Sequence, residues 1–190
     1  MKSVLIAIRP KWVEKIVNGE KTIEVRKTAP QEVPFKCYIY ETKGATETPW
    51  VDEDGHFIYK GRGQVIGEFI CDKVDEYNFH NGLTEFNSMG LPSRIYGSYL
   101  IFADDYKSMC LSYDEVKNYG KGKTLYGWHI SDLKIYDKPR ELSEFSRPCS
   151  YSGLCFSCKR TSFKKDGNLL CNTKITRPPQ SWMRVEDLGD

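Results

Sequence analysis

Apolar positions along this chain come in short runs separated by polar punctuation. Residues 4 to 8, Val-Leu-Ile-Ala-Ile, form a continuous apolar run that predicts a buried strand. Pro10 suits the first position of a helix, where its missing N–H is no loss. Trp12, Val13, Ile16 and Val17 then recur at helical spacing on one face, and Gly19 ends the helix. Residues 21–26 follow as an extended segment and residues 36–42 as a second strand. Residues 43–62 are rich in Gly, Pro, Asp and Glu and read as a loop or hairpin. Residues 63–74 predict a longer strand, in which Gly67 marks a bulge or a close backbone approach. From 75 to 110 no period dominates. Ser112 and Glu115 have capping-box spacing and open a helix that ends at Gly120. A turn at 121–123 leads to an aromatic strand over 124–130, whose period of two groups Tyr126, Trp128 and Ile130 on one apolar, core-facing side. Residues 132–136 continue as a strand or bend, and 140–145 as a short helical turn. There is no repeat and no regular βα alternation, so the pattern predicts a small α+β domain on a mainly antiparallel, barrel-like sheet.

Composition narrows the class. In 190 residues, 39% are hydrophobic and 28% charged, which rules out a largely disordered chain. No run approaches the roughly 18 apolar residues that span a bilayer. The opening MKSVLIAIRP is interrupted too early by Arg9 and Pro10 to read as a signal peptide, so the expected location is the cytoplasm. A net charge of +2 points to a local site for any nucleic acid and not to a global basic field.

Seven cysteines, in a cytosolic setting, are expected to be reduced. Cys37 and Cys71 sit in apolar runs and read as small buried hydrophobes. Cys149, Cys155, Cys158 and Cys171 form a C-x5-C-x2-C-x12-C pattern. Its central knuckle chelates a metal through two thiolates, and the outer pair can close a tetrahedral site. A structural zinc is the first expectation and an iron–sulfur cluster the second. The surrounding polar segment, with Lys159, Arg160, Lys164 and Lys165, has too few apolar residues to fold unaided.

Lys21, Glu24 and Arg26 are the candidate cleft residues. In a strand, Glu24 and Arg26 share a face, and Lys21 joins them only if the turn after Gly19 redirects it. Arg26 offers a fork for phosphate or guanine, and Glu24 an acceptor for an exocyclic amine. If the chain is an enzyme, its catalytic candidates are Lys21 as base or nucleophile, Glu24 beside it, and Glu68 as general acid or base. The bland alternative is a solvated ion-pair set. Arg9 and Lys11, one helix upstream, are candidates to flank the same cleft, and His129 and Trp182 to contact a base. Trp128 reads as core.

Residues 19–26, Gly-Glu-Lys-Thr-Ile-Glu-Val-Arg, fit a G-x-K-x-x-E-x-R pattern. They follow Ile8-Arg9-Pro10-Lys11-Trp12 and precede Tyr126-Gly127-Trp128-His129-Ile130-Ser131 and Pro178-Pro179-Gln180-Ser181-Trp182. In this order the features resemble the ASCH domain family, over residues 3–145 and 175–185. The resemblance implies a PUA-like small β-barrel with flanking helices. The chain then reads as a single domain over 1–190, with 146–174 as a four-cysteine metal-binding insertion. It also implies RNA-related work, with RNA or a modified nucleotide as ligand. Some small bacterial members are amidohydrolases on acetylcytidine that use a Lys, a Thr and a Glu. The Thr falls at position 24, where this chain has Glu24, and Thr22 is the nearest hydroxyl. A nucleic-acid-binding protein is therefore the leading expectation. An amidohydrolase or ribonuclease in the same cleft is the second, and a protein-interaction module built on the zinc loop the third.

Overall fold

The computed structural model describes residues 1–44, 50–51, 57–58, 61–81, 96–99, 101–149, 161–163, 169–171 and 173–189. Along the chain run β1 (Lys2–Ile8), α1 (Pro10–Val17), β2 (Ile23–Arg26), β3 (Phe35–Glu41), β4 (Trp50–Val51), β5 (Phe57–Ile58), β6 (Val65–Cys71) and β7 (Val74–Tyr77). There follow β8 (Phe79–Asn81), β9 (Tyr96–Tyr99), α2 (Ala103–Met109), α3 (Tyr113–Gly120), β10 (Leu125–His129) and β11 (Ser131–Arg140). A 3-10 turn (Leu142–Glu144), β12 (Thr161–Phe163), β13 (Leu169–Cys171) and β14 (Trp182–Val185) complete the order. Among the described residues no helix is long and apolar enough to cross a membrane.

The chain packs as two compact units. The first holds Met1–Pro10, Phe35–Phe69 and Lys134–Asp190. Its sheet has the order β11-β6-β3-β1-β14, with β1 parallel to β3 and antiparallel to β14. β1 lies between two neighbours and buries Val4, Leu5 and Ile6 alike, which is why its sequence is a continuous apolar run and not an alternating one. Leu5, Tyr38, Val65, Phe145 and Val185 form the core of this unit, with the rings of Tyr38 and Phe145 edge to face at 5.0 Å. Gly67 is a close backbone approach: a Cβ there would overlap the carbonyl oxygen of Lys134. Cys37 is fully buried, as its apolar run requires. Among the described residues the strands pair as open sheets, with β11 and β14 at the edges of the largest, and no closed barrel is seen there. Near the C-terminus the Arg147 N–H donates to the Thr173 carbonyl at 2.8 Å and the Ile175 N–H to the Phe145 carbonyl at 2.9 Å.

The second unit holds Lys11–Pro34 and Ile70–Leu133. Its sheet is antiparallel in the order β2-β10-β7. α1 buries Val13 and Ile16, while Val17, in its last turn, is exposed, so the apolar stripe is narrower than the pattern predicts. α3 carries the predicted capping box, with Ser112 and Glu115 exchanging hydrogen bonds, and ends at Gly120. Residues directly opposite in an antiparallel pair share a face. One face carries Ile23, Val25, Leu125 and Tyr77, packed with Met109 and Val116 as the core of this unit. The other carries Glu24 opposite Trp128 and Arg26 opposite Tyr126. The sequence pattern puts Trp128 in the core, and it is fully buried. The Leu125 side is buried as well, which the pattern does not indicate: Gly127 leaves room there for the Tyr77 ring and Ile23.

Candidate functional site

The candidate cluster begins at the end of α1. Gly19 takes a left-handed conformation, φ 74°, and its N–H returns to the Ile16 carbonyl at 3.0 Å. The N–H groups of Glu20 and Lys21 both donate to the Lys15 carbonyl. This turn swings the Lys21 side chain into the unit. Its Nζ donates to the Met109 carbonyl at 2.6 Å and to the Ile23 carbonyl at 2.9 Å, and lies 3.4 Å from Glu24 Oε2. The other carboxylate oxygen, Glu24 Oε1, is 2.9 Å from Arg26 Nη2. The three residues are only 2%, 6% and 8% exposed, so they are not a solvated surface set. Among the described contacts, two cations share the one Glu24 carboxylate in a buried setting that screens charge weakly.

The Trp12 ring joins the cluster. Lys21 Nζ lies 5.3 Å from its centroid and Lys11 Nζ 4.6 Å. Of the residues proposed from sequence, the fold therefore brings together Lys11, Lys21, Glu24 and Arg26. His129 lies elsewhere: it pairs in register with Ile23, on the face away from Glu24, and its Nε2 is 2.6 Å from Asp75 Oδ2. Burial opposes the ionisation of Asp75, but His129 and Lys73 outweigh it and hold the carboxyl below its ordinary value. Arg9, Glu68 and Trp182 belong to the first unit. Arg9 is exposed and Trp182 half-buried in β14. Glu68 accepts from the Tyr136 hydroxyl and lies 3.8 Å from Lys36 Nζ, which also reaches Asp187 at 3.2 Å. Burial in front, then Glu68 itself, pushes the Tyr136 phenol far above its ordinary range.

Trp128 is fully buried, as its period predicts, and so contributes no stacking surface. Burial pushes the Cys71 thiol up to about 12, the behaviour of an inert core cysteine. Of the four clustered cysteines, Cys149 is exposed, Cys155 and Cys158 lie outside the described residues, and Cys171 is described as the last position of β13. No group of three or more metal-ligating side chains occurs among the described residues.

An open cleft of about 400 Å³ lies in the second unit, lined by residues 27–31 with Val74, Glu76 and Tyr126. Its walls continue the polar face of the sheet: Tyr126 stands opposite Arg26 on one side and Glu76 on the other. Directly opposed Cβ atoms are about 5 Å apart, so Arg26 and Tyr126 are immediate neighbours. Sequence reasoning missed Lys27, Glu76 and Tyr126 as cleft walls. The signal for Tyr126 was present in its period-two relation to Trp128, whereas Glu76 becomes visible only through the β7–β10 register.

Comparison with known proteins bears on this arrangement. The sequence profile described as "ASCH domain" matches residues 6–140. Among solved structures, the chain is similar to an ASCH protein of Zymomonas mobilis, with TM-score 0.50 and 17% identity over 97% of this chain and 88% of that one. A serine-to-alanine variant of that protein gives TM-score 0.51 and 16% identity over 97% and 89%. At such identities the likeness shows the fold alone. No curated protein matches the sequence.

Proposed function

The chain belongs to the ASCH domain family, one proposed to bind RNA, and from that premise we propose that it binds single-stranded RNA or a modified nucleotide in the cleft beside Arg26. The observation that carries this reading is the Arg26–Tyr126–Glu76 row across the sheet, with Lys27 at its rim. The half-buried Tyr126 ring is a stacking surface, Glu76 an acceptor for an exocyclic base amine, and Lys27 a phosphate partner. Lys21, Glu24 and Arg26 form the charged support behind them, with Lys11 at the Trp12 end. Arg9, His129 and Trp182 lie outside this row and are peripheral to the reading. Titration of a short labelled RNA tests it: substitution of Tyr126 or Lys27 weakens binding if the cleft is the site and leaves it unchanged if it is not.

The second reading is an amidohydrolase on a modified nucleoside such as acetylcytidine, or a ribonuclease. The cleft volume of about 400 Å³ favours it, since that suits a single nucleoside. Against it, the Lys21 ammonium already faces three acceptors and is buried, which suits a fixed charge better than a nucleophile. Glu68 is likewise engaged by Tyr136 and Lys36. Product formation from acetylcytidine or RNA, followed by mass spectrometry, separates the readings.

The same proposal includes a structural zinc on Cys149, Cys155, Cys158 and Cys171. In support, Cys149 lies two residues after Arg147 and Cys171 two before Thr173, and these two flanking residues share a backbone hydrogen bond. We place the protein in the cytoplasm, where such thiols stay reduced. The barrel form and the single-domain organisation of the family are part of this reading.

A further inference from the structure

The cleft is not the end of the positively charged aromatic surface in the second unit. Lys27, which lines the cleft, also places its Nζ 5.0 Å from the ring centroid of Tyr119 on α3. Tyr119 is 38% exposed, and its phenol senses both Arg26 and Glu24: burial raises its pKa, Arg26 opposes this and Glu24 adds to it. Tyr119 therefore lies within electrostatic reach of the buried cluster and beside the cation at the cleft rim. Earlier on the same helix, and on a different face, Lys117 Nζ is 5.7 Å from the ring of exposed Tyr113. Lys121 and Lys123, both exposed, follow α3 directly. The acidic residues of α3, Asp114 and Glu115, are confined to its first turn, so its C-terminal end is basic. The pair of Lys27 and exposed Tyr119 beside the cleft fits a single-stranded backbone with a base turned onto an aromatic face.

We propose that the site extends from the cleft onto α3, with Tyr119 stacking a second base and Lys27 holding the phosphate between the two nucleotides. This extension rests on the reading of the cleft as a nucleotide site. It makes the ligand a single strand of at least two nucleotides and not a free nucleoside. The Lys27–Tyr119 contact is then opened by the incoming base, which replaces one cation-facing ring surface with another.

The experiment is a calorimetric titration of wild type, Tyr119→Ala and Tyr119→Phe with cytidine monophosphate and with a cytidine trinucleotide. The expected result is that wild type binds the trinucleotide more tightly than the monophosphate. Tyr119→Ala then lowers trinucleotide affinity by about 5- to 150-fold, the range of one base stack. It leaves monophosphate binding unchanged, which also shows an intact fold. Tyr119→Phe keeps most of the trinucleotide affinity, because the ring remains. Trinucleotide binding that is indifferent to Tyr119→Ala overturns the extension and spares the cleft. So does a Phe variant as weak as the Ala variant, or an Ala variant that loses the monophosphate as well. If wild type binds neither ligand, the cleft reading falls and the extension with it.

Discussion

Lys21 reaches the carbonyl oxygen of Met109 at 2.6 Å and thereby ties the turn after α1 to the end of α2. A backbone bond runs beside it, from the Thr22 N–H to the Ser108 carbonyl at 2.9 Å. The lysine of the G-x-K-x-x-E-x-R pattern is thus a structural tie as well as a charge. Its removal leaves two carbonyls and the Glu24 carboxylate short of a donor. Loss of one partner from a buried pair costs about 3–5 kcal/mol. Lys21→Met is expected to lose stability in that range in urea denaturation, and a loss below about 1 kcal/mol contradicts the buried role.

Gly127 has a packing reason to be glycine. A Cβ there would lie 2.7 Å from the Tyr77 ring and 2.9 Å from Ile23 Cγ2. Gly127→Ala is expected to cost about 1–3 kcal/mol through overpacking. Equal denaturation midpoints for the variant and wild type contradict that account.

Asp75 gives the second unit an acid-sensitive element. Its carboxyl titrates below its ordinary value, because His129 and Lys73 favour the charged form more than burial opposes it. A depressed folded-state pKa means the stabilisation is complete above the unfolded-state value and is lost as pH falls through the folded one. Asp75→Asn is therefore expected to be less stable than wild type at neutral pH. The gap should close as pH falls below the ordinary aspartate value and through the lowered folded-state one. A gap that stays constant or widens on acidification contradicts the assignment.

The cysteine segment predicts one bound zinc per chain, measured by elemental analysis. Chelation, or Cys155→Ser, is expected to remove it and to expose the 146–174 segment to protease, since the metal supplies folding free energy there. Iron in place of zinc, or neither metal with equal protease resistance, contradicts the structural zinc.

The elements were legible where local chemistry decides them. The apolar run of β1, the Gly19 reversal, the Ser112–Glu115 box and the close approach at Gly67 all follow from a few adjacent residues. The stretch from 75 to 110 was not, because its signals are weak: α2 has seven residues and buries only Met109, and the β8–β9 pairing shifts register between His80 and Asn81. The cluster was half legible. Glu24 and Arg26 share a face by period two, while the arrival of Lys21 depends on the Gly19 turn and on Met109, far along the chain. The cleft walls come from two strands and a loop, so their meeting is a matter of register and not of spacing.

The central claim is that RNA binds at the Arg26–Tyr126 row, and the most direct test is a salt titration of RNA affinity. A labelled single strand of about eight nucleotides is titrated with wild type and Tyr126→Ala at about 50 and 200 mM salt. The account predicts that wild-type affinity falls steeply with salt, and that the variant binds about 5- to 150-fold more weakly with the same salt slope, since it loses a stack and no charge. Equal affinity of wild type and variant, or no binding by either, contradicts it.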